Sequence, residues 1–139
     1  MAARRTRKGS ARSKAEREFI AEAEEIVEAM ADDLLALSET QGEPDPDRVN
    51  QLFRSAHSLK GLSGMFGLEG MADLSHRLED VLDRLRMGRA VYEPPISTLV
   101  EEAVALITTS LSRFGDADST ATTERAIAEL STQVEAWLE

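Results

Sequence analysis

The chain of 139 residues has two histidines, His57 and His76, and no cysteine. Disulfides and thiolate metal sites are therefore excluded. His57 stands in the stretch AHSLKGLS, with Lys60 and Gly61 about one helical turn beyond it and Gly64 a further turn along. An imidazole becomes a nucleophile when a carboxylate accepts from Nδ1–H. That bond fixes the tautomer, leaves a lone pair on Nε2 and stabilises the positive charge that develops as the ring reacts. A cation one turn away would complement an anion carried on the ring.

Such a site needs a helix to space its residues and a second helix to supply the carboxylate. On a wheel of about 100° per residue, Val49, Leu52, Ala56, Leu59 and Ser63 form an apolar face, and Phe53, His57, Lys60, Gly61 and Gly64 form the adjacent stripe. His57 is thus predicted beside the core and not in it. Each helical glycine costs about 1 kcal/mol relative to alanine. Gly61 and Gly64 could leave the imidazole open to another protein, permit close helix packing, or mark an early helix end. On the following helix Ala72, His76, Glu79 and Asp83 share a strip, with Glu79 nearest the apolar boundary. If the two helices form a hairpin, Glu79 can face His57 and accept from Nδ1–H. A charge-assisted bond of this kind is worth about 1.5–3 kcal/mol, enough to orient one side chain.

Other chemistries fit less well. His57, His76, Glu79 and Asp83 could be metal ligands, but di-metal bundles use several carboxylates and Glu-x-x-His pairs from two helices. One such pair occurs here, in the reverse order His76-x-x-Glu79, and no metal is expected. GLSGM lacks the strand-turn-helix context of a hydrolase nucleophile, and no phosphate-cradling glycine loop is present. The chain is expected to bind no nucleotide or other cofactor itself.

Hydrophobic residues make up 42% of the chain and charged residues 30%, with four prolines and eight glycines, a composition suited to a helical globular protein. Apolar residues recur at steps of three and four from Ala15 (Phe19, Ala23, Ile26, Val27, Met30, Leu34, Leu37) until Gly42, Pro44 and Pro46 interrupt them. A second helix is predicted from Asp45–Asp47, with an aspartate cap and Pro46 in the first turn, to about Gly64–Gly67. A third runs from about Leu68, with Met71, Leu74, Leu78, Leu82 and Leu85 on one face, to Gly88. A fourth is marked by Ile96, Leu99, Val100, Ala103, Leu106, Ile107 and Leu111. GDADSTATTE is predicted to be a polar loop before a fifth helix through Ile127, Leu130, Val134, Trp137 and Leu138. Met65, Met71 and Met87 are read as core filler or helix-end residues. Strand alternation is absent, so the fold class is all-α, an antiparallel helical bundle with a four-helix core and a fifth C-terminal helix.

The net charge of −10 is unevenly spread. Residues 1–14 hold six of the 16 Lys and Arg and no acid, which leaves ten bases against 26 acids, a net of −16, on the remaining 125 residues. The first 14 residues are read as a basic flexible leader and 15–139 as the bundle domain. An acidic body repels phosphate backbones, so no nucleic-acid partner is expected. No apolar run reaches the roughly 18–20 residues of a membrane span, and a cytoplasmic location without membrane contact is expected.

Leu52 to Gly88, LFRSAHSLKGLSGMFGLEGMADLSHRLEDVLDRLRMG, resembles the histidine phosphotransfer domain at the N-terminus of CheA-type chemotaxis histidine kinases. The His-Ser-Leu-Lys-Gly core, the Gly-x-Phe-Gly turn at Gly64 to Gly67 and the following LSHRLEDVLD agree in type and spacing. The first helix and the two after the hairpin suit the family's five-helix arrangement, and the basic leader alone departs from it. The resemblance implies that His57 is the phosphorylated histidine, Lys60 the lysine facing the phosphoryl group, Gly61 the glycine that keeps the site accessible, and His76 and Glu79 the supporting pair. It further implies a relay. A histidine kinase catalytic domain, in cis or in trans, would transfer the γ-phosphoryl of ATP to Nε2 of His57, and the aspartate of a response-regulator receiver domain, with its own Mg²⁺, would take it away. The domain would be carrier and substrate, and not an enzyme by itself. The contrasting reading is a helical-bundle interaction module that carries no phosphate. The initial Met suits the first domain of a longer kinase, and a stand-alone carrier would look the same.

Overall fold

The computed structural model describes residues 13–40, 44–114 and 117–139, with backbone alone for 117–120. Residues 1–12 of the predicted leader lie outside the described residues. Five helices follow in order: α1 Lys14–Glu39, α2 Pro46–Met65, α3 Glu69–Arg86, α4 Ile96–Ser112 and α5 Ala117–Leu138. There is no strand among the described residues, as the all-α reading predicts.

Local chemistry sets most boundaries. Ser13 Oγ accepts from the Glu16 N–H at 3.0 Å while Glu16 Oε1 accepts from the Ser13 N–H at 2.9 Å. This reciprocal capping box satisfies two donors that the helix itself cannot, so Ser13 and Lys14 belong to the start of α1 and not to the leader. Asp45 caps α2 by accepting from the Asp47 N–H at 3.0 Å, with Pro46 at the first helical position. Gly67, at φ +71°, ends α2. The Leu68 N–H donates to Ser63 O at 2.9 Å and the Gly67 N–H to Gly64 O at 3.2 Å, the paired bonds of a Schellman turn that needs a left-handed residue. Gly88 repeats the device after α3 at φ +73°.

At the fourth connection the expectation fails. The predicted polar loop GDADSTATTE is helical from Ala117 onward. Its residues are polar and give no apolar periodicity, but polarity reports exposure and not backbone conformation. After Gly115 the stretch has no Gly or Pro to stop a helix.

The helices pack as a closed ring. α1 neighbours α2 and α4, α2 neighbours α3, and α5 packs on both α3 and α4, which barely touch each other. The fifth helix thus fills the seam that the four-helix core leaves open. Every residue of the predicted α2 face is buried, as are Met71, Leu74, Leu78, Leu82 and Leu85 of α3 and Ile127, Leu130 and Val134 of α5. At one end Phe19 stacks on Phe66, with ring centroids 4.5 Å apart, and tilts against Phe114 at 5.7 Å. This contact ties α1 to the α2–α3 turn and the end of α4. Arg77 bridges to Glu135 at 3.3 Å and Arg84 lies 5.7 Å from the Trp137 ring, both joining α3 to α5. Met71 is core, whereas Met65 and Met87 are exposed at helix ends.

Candidate functional site

The three-residue turn between α2 and α3 forces the hairpin, and the hairpin brings the two polar stripes together. The His57 side chain is 65% exposed, beside the core as its wheel position predicts. Its Nδ1 is bonded to Glu79 Oε2. Since a carboxylate can only accept, the ring proton is on Nδ1 and Nε2 carries the lone pair. Nε2 bonds to no other group among the described residues.

Glu79 is itself only 9% exposed, and both of its oxygens are used. Lys60 Nζ donates to Oε1 at 2.9 Å. Burial by itself would push the Glu79 carboxyl upward, but the hydrogen bonds from Lys60 and His57 and the positive charge of Lys60 outweigh it, joined by the His57 charge whenever that ring is protonated. The carboxyl is held below its ordinary range, so near neutral pH it is an anion aimed at the imidazole. Lys60 thus reaches the His57 patch by way of Glu79, with its charge neutralising the buried carboxylate.

A Cβ built on Gly61 or Gly64 would meet nothing within 4 Å. Close helix packing is therefore not the reason for either glycine. Gly64 serves the helix end through its carbonyl, but Gly61 has a further turn of α2 after it. At Gly61 the missing side chain leaves open surface one turn from His57.

His76 is not brought into this network. It is exposed on α3, and no hydrogen bond joins it to His57, Lys60 or Glu79 among the described residues. Its ring lies instead near Glu79 and Asp80, with ligand-type atoms of the three within 4.8 Å of one another. The Glu79 oxygens there are already engaged. Asp83, counted in sequence with a possible ligand set, accepts from Arg86 at 2.6 Å.

Sequence reasoning also missed Arg86. Its guanidinium lies 4.2 Å from the centroid of the Phe53 ring, across the hairpin and one turn before His57. The only sequence signal is a basic residue in the last turn of α3, which ordinarily reads as a helix-dipole partner.

An imidazole with a bonded carboxylate on one nitrogen and an open lone pair on the other is a positioned nucleophile and later a leaving group. Comparison with known proteins gives this geometry a family. The sequence profile of the Hpt domain matches residues 17–137. The chain is 32% identical over 116 residues to chemotaxis protein CheA of Cereibacter sphaeroides, covering 81% of this chain and 17% of that protein. It is 45% identical over 74 residues to chemotaxis protein CheA of Listeria monocytogenes, covering 51% and 11%. Over 102 residues it is 35% identical to sensor histidine kinase CheAY of Helicobacter pylori, covering 73% and 12%. The chain thus spans under a fifth of the length of each of these relatives. The match over nearly the whole bundle shows that the chain belongs to the Hpt, or histidine phosphotransfer, domain family.

Proposed function

We propose that His57 is the phosphoryl acceptor and that transfer occurs at Nε2. The observation that carries this reading is the bond from Nδ1 to the buried Glu79 carboxylate, with Nε2 left exposed. In the loading step the Nε2 lone pair attacks the γ-phosphorus of ATP bound by a histidine kinase catalytic domain, in cis or in trans. A P–N bond forms, the bond to the bridging oxygen breaks, and ADP departs. In the unloading step a receiver aspartate attacks the same phosphorus, and the P–N electron pair returns to Nε2. The Nδ1 proton stays on its bond to Glu79 throughout.

Phosphoryl transfer is dominated by positioning and charge stabilisation. This domain supplies the nucleophile and its orientation, and the partners supply the rest, so it acts as a carrier in the cytoplasm and not as an enzyme. Lys60, one turn beyond His57, supplies a cation near the transferred group, and Gly61 admits the partner's surface.

The test is incubation of the chain with a CheA-type kinase and labelled ATP, followed by a receiver domain. Expected is one acid-labile, base-stable phosphate per chain that passes to the receiver, and none in a His57→Gln variant. Label retained by His57→Gln overturns the reading.

A further inference from the structure

Phe53 lies one turn before His57 on α2, partly buried against the core. Arg86 covers its ring at 4.2 Å and donates through Nη2 to Asp83 Oδ1 at 2.6 Å. An arginine is normally mobile, but a cation–π contact and an ion pair restrain this one beside the site. Its side chain remains 39% exposed, and its other N–H groups bond to none of the described residues. The fold holds this guanidinium in place and leaves most of its donors available.

The distribution of charge along the chain points to the same place. Residues 45–89 carry seven bases and seven acids, residues 15–44 carry one base and ten acids, and residues 90–139 carry two and nine. The whole net charge of −16 on the body therefore lies off the hairpin that bears His57. A partner with carboxylates on its docking face is repelled by the net negative charge of α1, α4 and α5, and meets a surface without net charge on α2 and α3. In the proposed transfer the acceptor is an aspartate, so the accepting protein presents such a face.

We propose that Arg86, held over the Phe53 ring one turn from His57, is a docking residue that engages the carboxylate-bearing face of the phosphoryl-accepting protein and sets its rate of association. The proposal rests on the reading of His57 as phosphoryl donor. Arginine suits the task because a pre-positioned fork can grip a carboxylate with two N–H groups. Lysine would keep the charge and lose both the stacking and the fork.

The experiment follows transfer from the phosphorylated 139-residue chain to a purified chemotaxis receiver domain by rapid quench, for the wild type, Arg86→Glu and Arg86→Lys. For Arg86→Glu the second-order rate should fall about tenfold or more, in the range of charge-steered association, and its dependence on salt should flatten. Arg86→Lys should fall in between. The first-order rate at saturating receiver and the rate of loading by kinase and ATP should stay at wild-type values, and the thermal transition should fall by about 4 °C or less, the scale of one lost surface contact. Unchanged second-order transfer by Arg86→Glu overturns the proposal, as does an equal loss in the loading step or at saturation. A wild-type chain that takes up no phosphate at His57 overturns the transfer reading and this proposal together, whereas normal loading with unaltered transfer by Arg86→Glu overturns this proposal alone.

Discussion

At the scale of single residues, the Glu79 carboxylate makes two bonds at once, to His57 and to Lys60. Glu79→Gln preserves volume but removes the charge and presents one amide group where two acceptors stood. Loss of a charge-assisted bond worth about 1.5–3 kcal/mol should slow single-turnover loading of His57 by about tenfold to a hundredfold. The circular dichroism spectrum should be unchanged. Glu79 also links pH to stability. Its folded pKa is depressed, so the unfolded chain binds the proton more readily, and the stabilisation is present above the ordinary glutamate value of about 4.3. It is lost as pH falls through the lower folded value. Urea midpoints of wild type and Glu79→Gln should therefore differ at pH 7 and converge as pH is lowered below about 4.

Gly61 allows an opposite kind of test. Because a Cβ there meets nothing, Gly61→Ala should stabilise the protein by up to about 1 kcal/mol, raising the melting temperature by roughly 4 °C. Gly61→Trp should also fold, yet it should block loading by the kinase by occupying the space over His57. Wild-type loading rates in Gly61→Trp would remove accessibility as the reason for this glycine.

At the scale of elements, the hairpin of α2 and α3 builds the site and the other helices hold the hairpin. Arg48 of α2 donates to the buried Asp33 of α1 at 3.0 Å, and α5 clasps α3 through Arg77, Arg84 and Trp137. The apolar contact of α5 matters most for stability. Leu130 is 5% exposed, and Leu130→Ala should cost about 2–4 kcal/mol, read as a lower urea midpoint. Loading of the folded fraction should remain at the wild-type rate, because among the described residues no hydrogen bond or ion pair joins α5 to His57, Lys60 or Glu79. The cap of α1 is a smaller, local effect. Ser13→Ala should cost about 1 kcal/mol and raise amide exchange in the first turn of α1 while leaving α3 protected.

At the scale of the molecule, an acidic shell of α1, α4 and α5 surrounds a neutral hairpin, and no helix among the described residues is long and apolar enough to cross a membrane. Such a distribution orients encounters more than it strengthens complexes. Replacing Glu101, Glu102 and Glu129 on the far helices by Gln should leave transfer within about twofold at physiological salt, where the screening length is about 8 Å. Arg86→Glu, on the hairpin, should not be so tolerated.

Periodicity alone determined the helix order, the buried faces of α2 and α3, and the placing of His57 beside the core, because helical geometry fixes which side chains share a face. Capping and glycine chemistry set the limits of α2 and α3 to within a residue or two for the same local reason. The first turns of α5 escaped, since a polar stretch leaves no apolar rhythm in the sequence. The wheel placed Glu79 opposite His57 on condition of a hairpin, and the structure has that bond, but the other partners across the hairpin were beyond the sequence. His76 and Glu79 share a strip of α3, yet only Glu79 turns into the α2 interface to bond His57 and Lys60. Arg86 crosses to Phe53, though no spacing links residues 33 positions apart. The reasons for Gly61 and Gly64 were equally open until the space around each was known. Helix register follows from local bonds, whereas partners across helices depend on the angle and depth at which two helices pack, and those are set by the whole core.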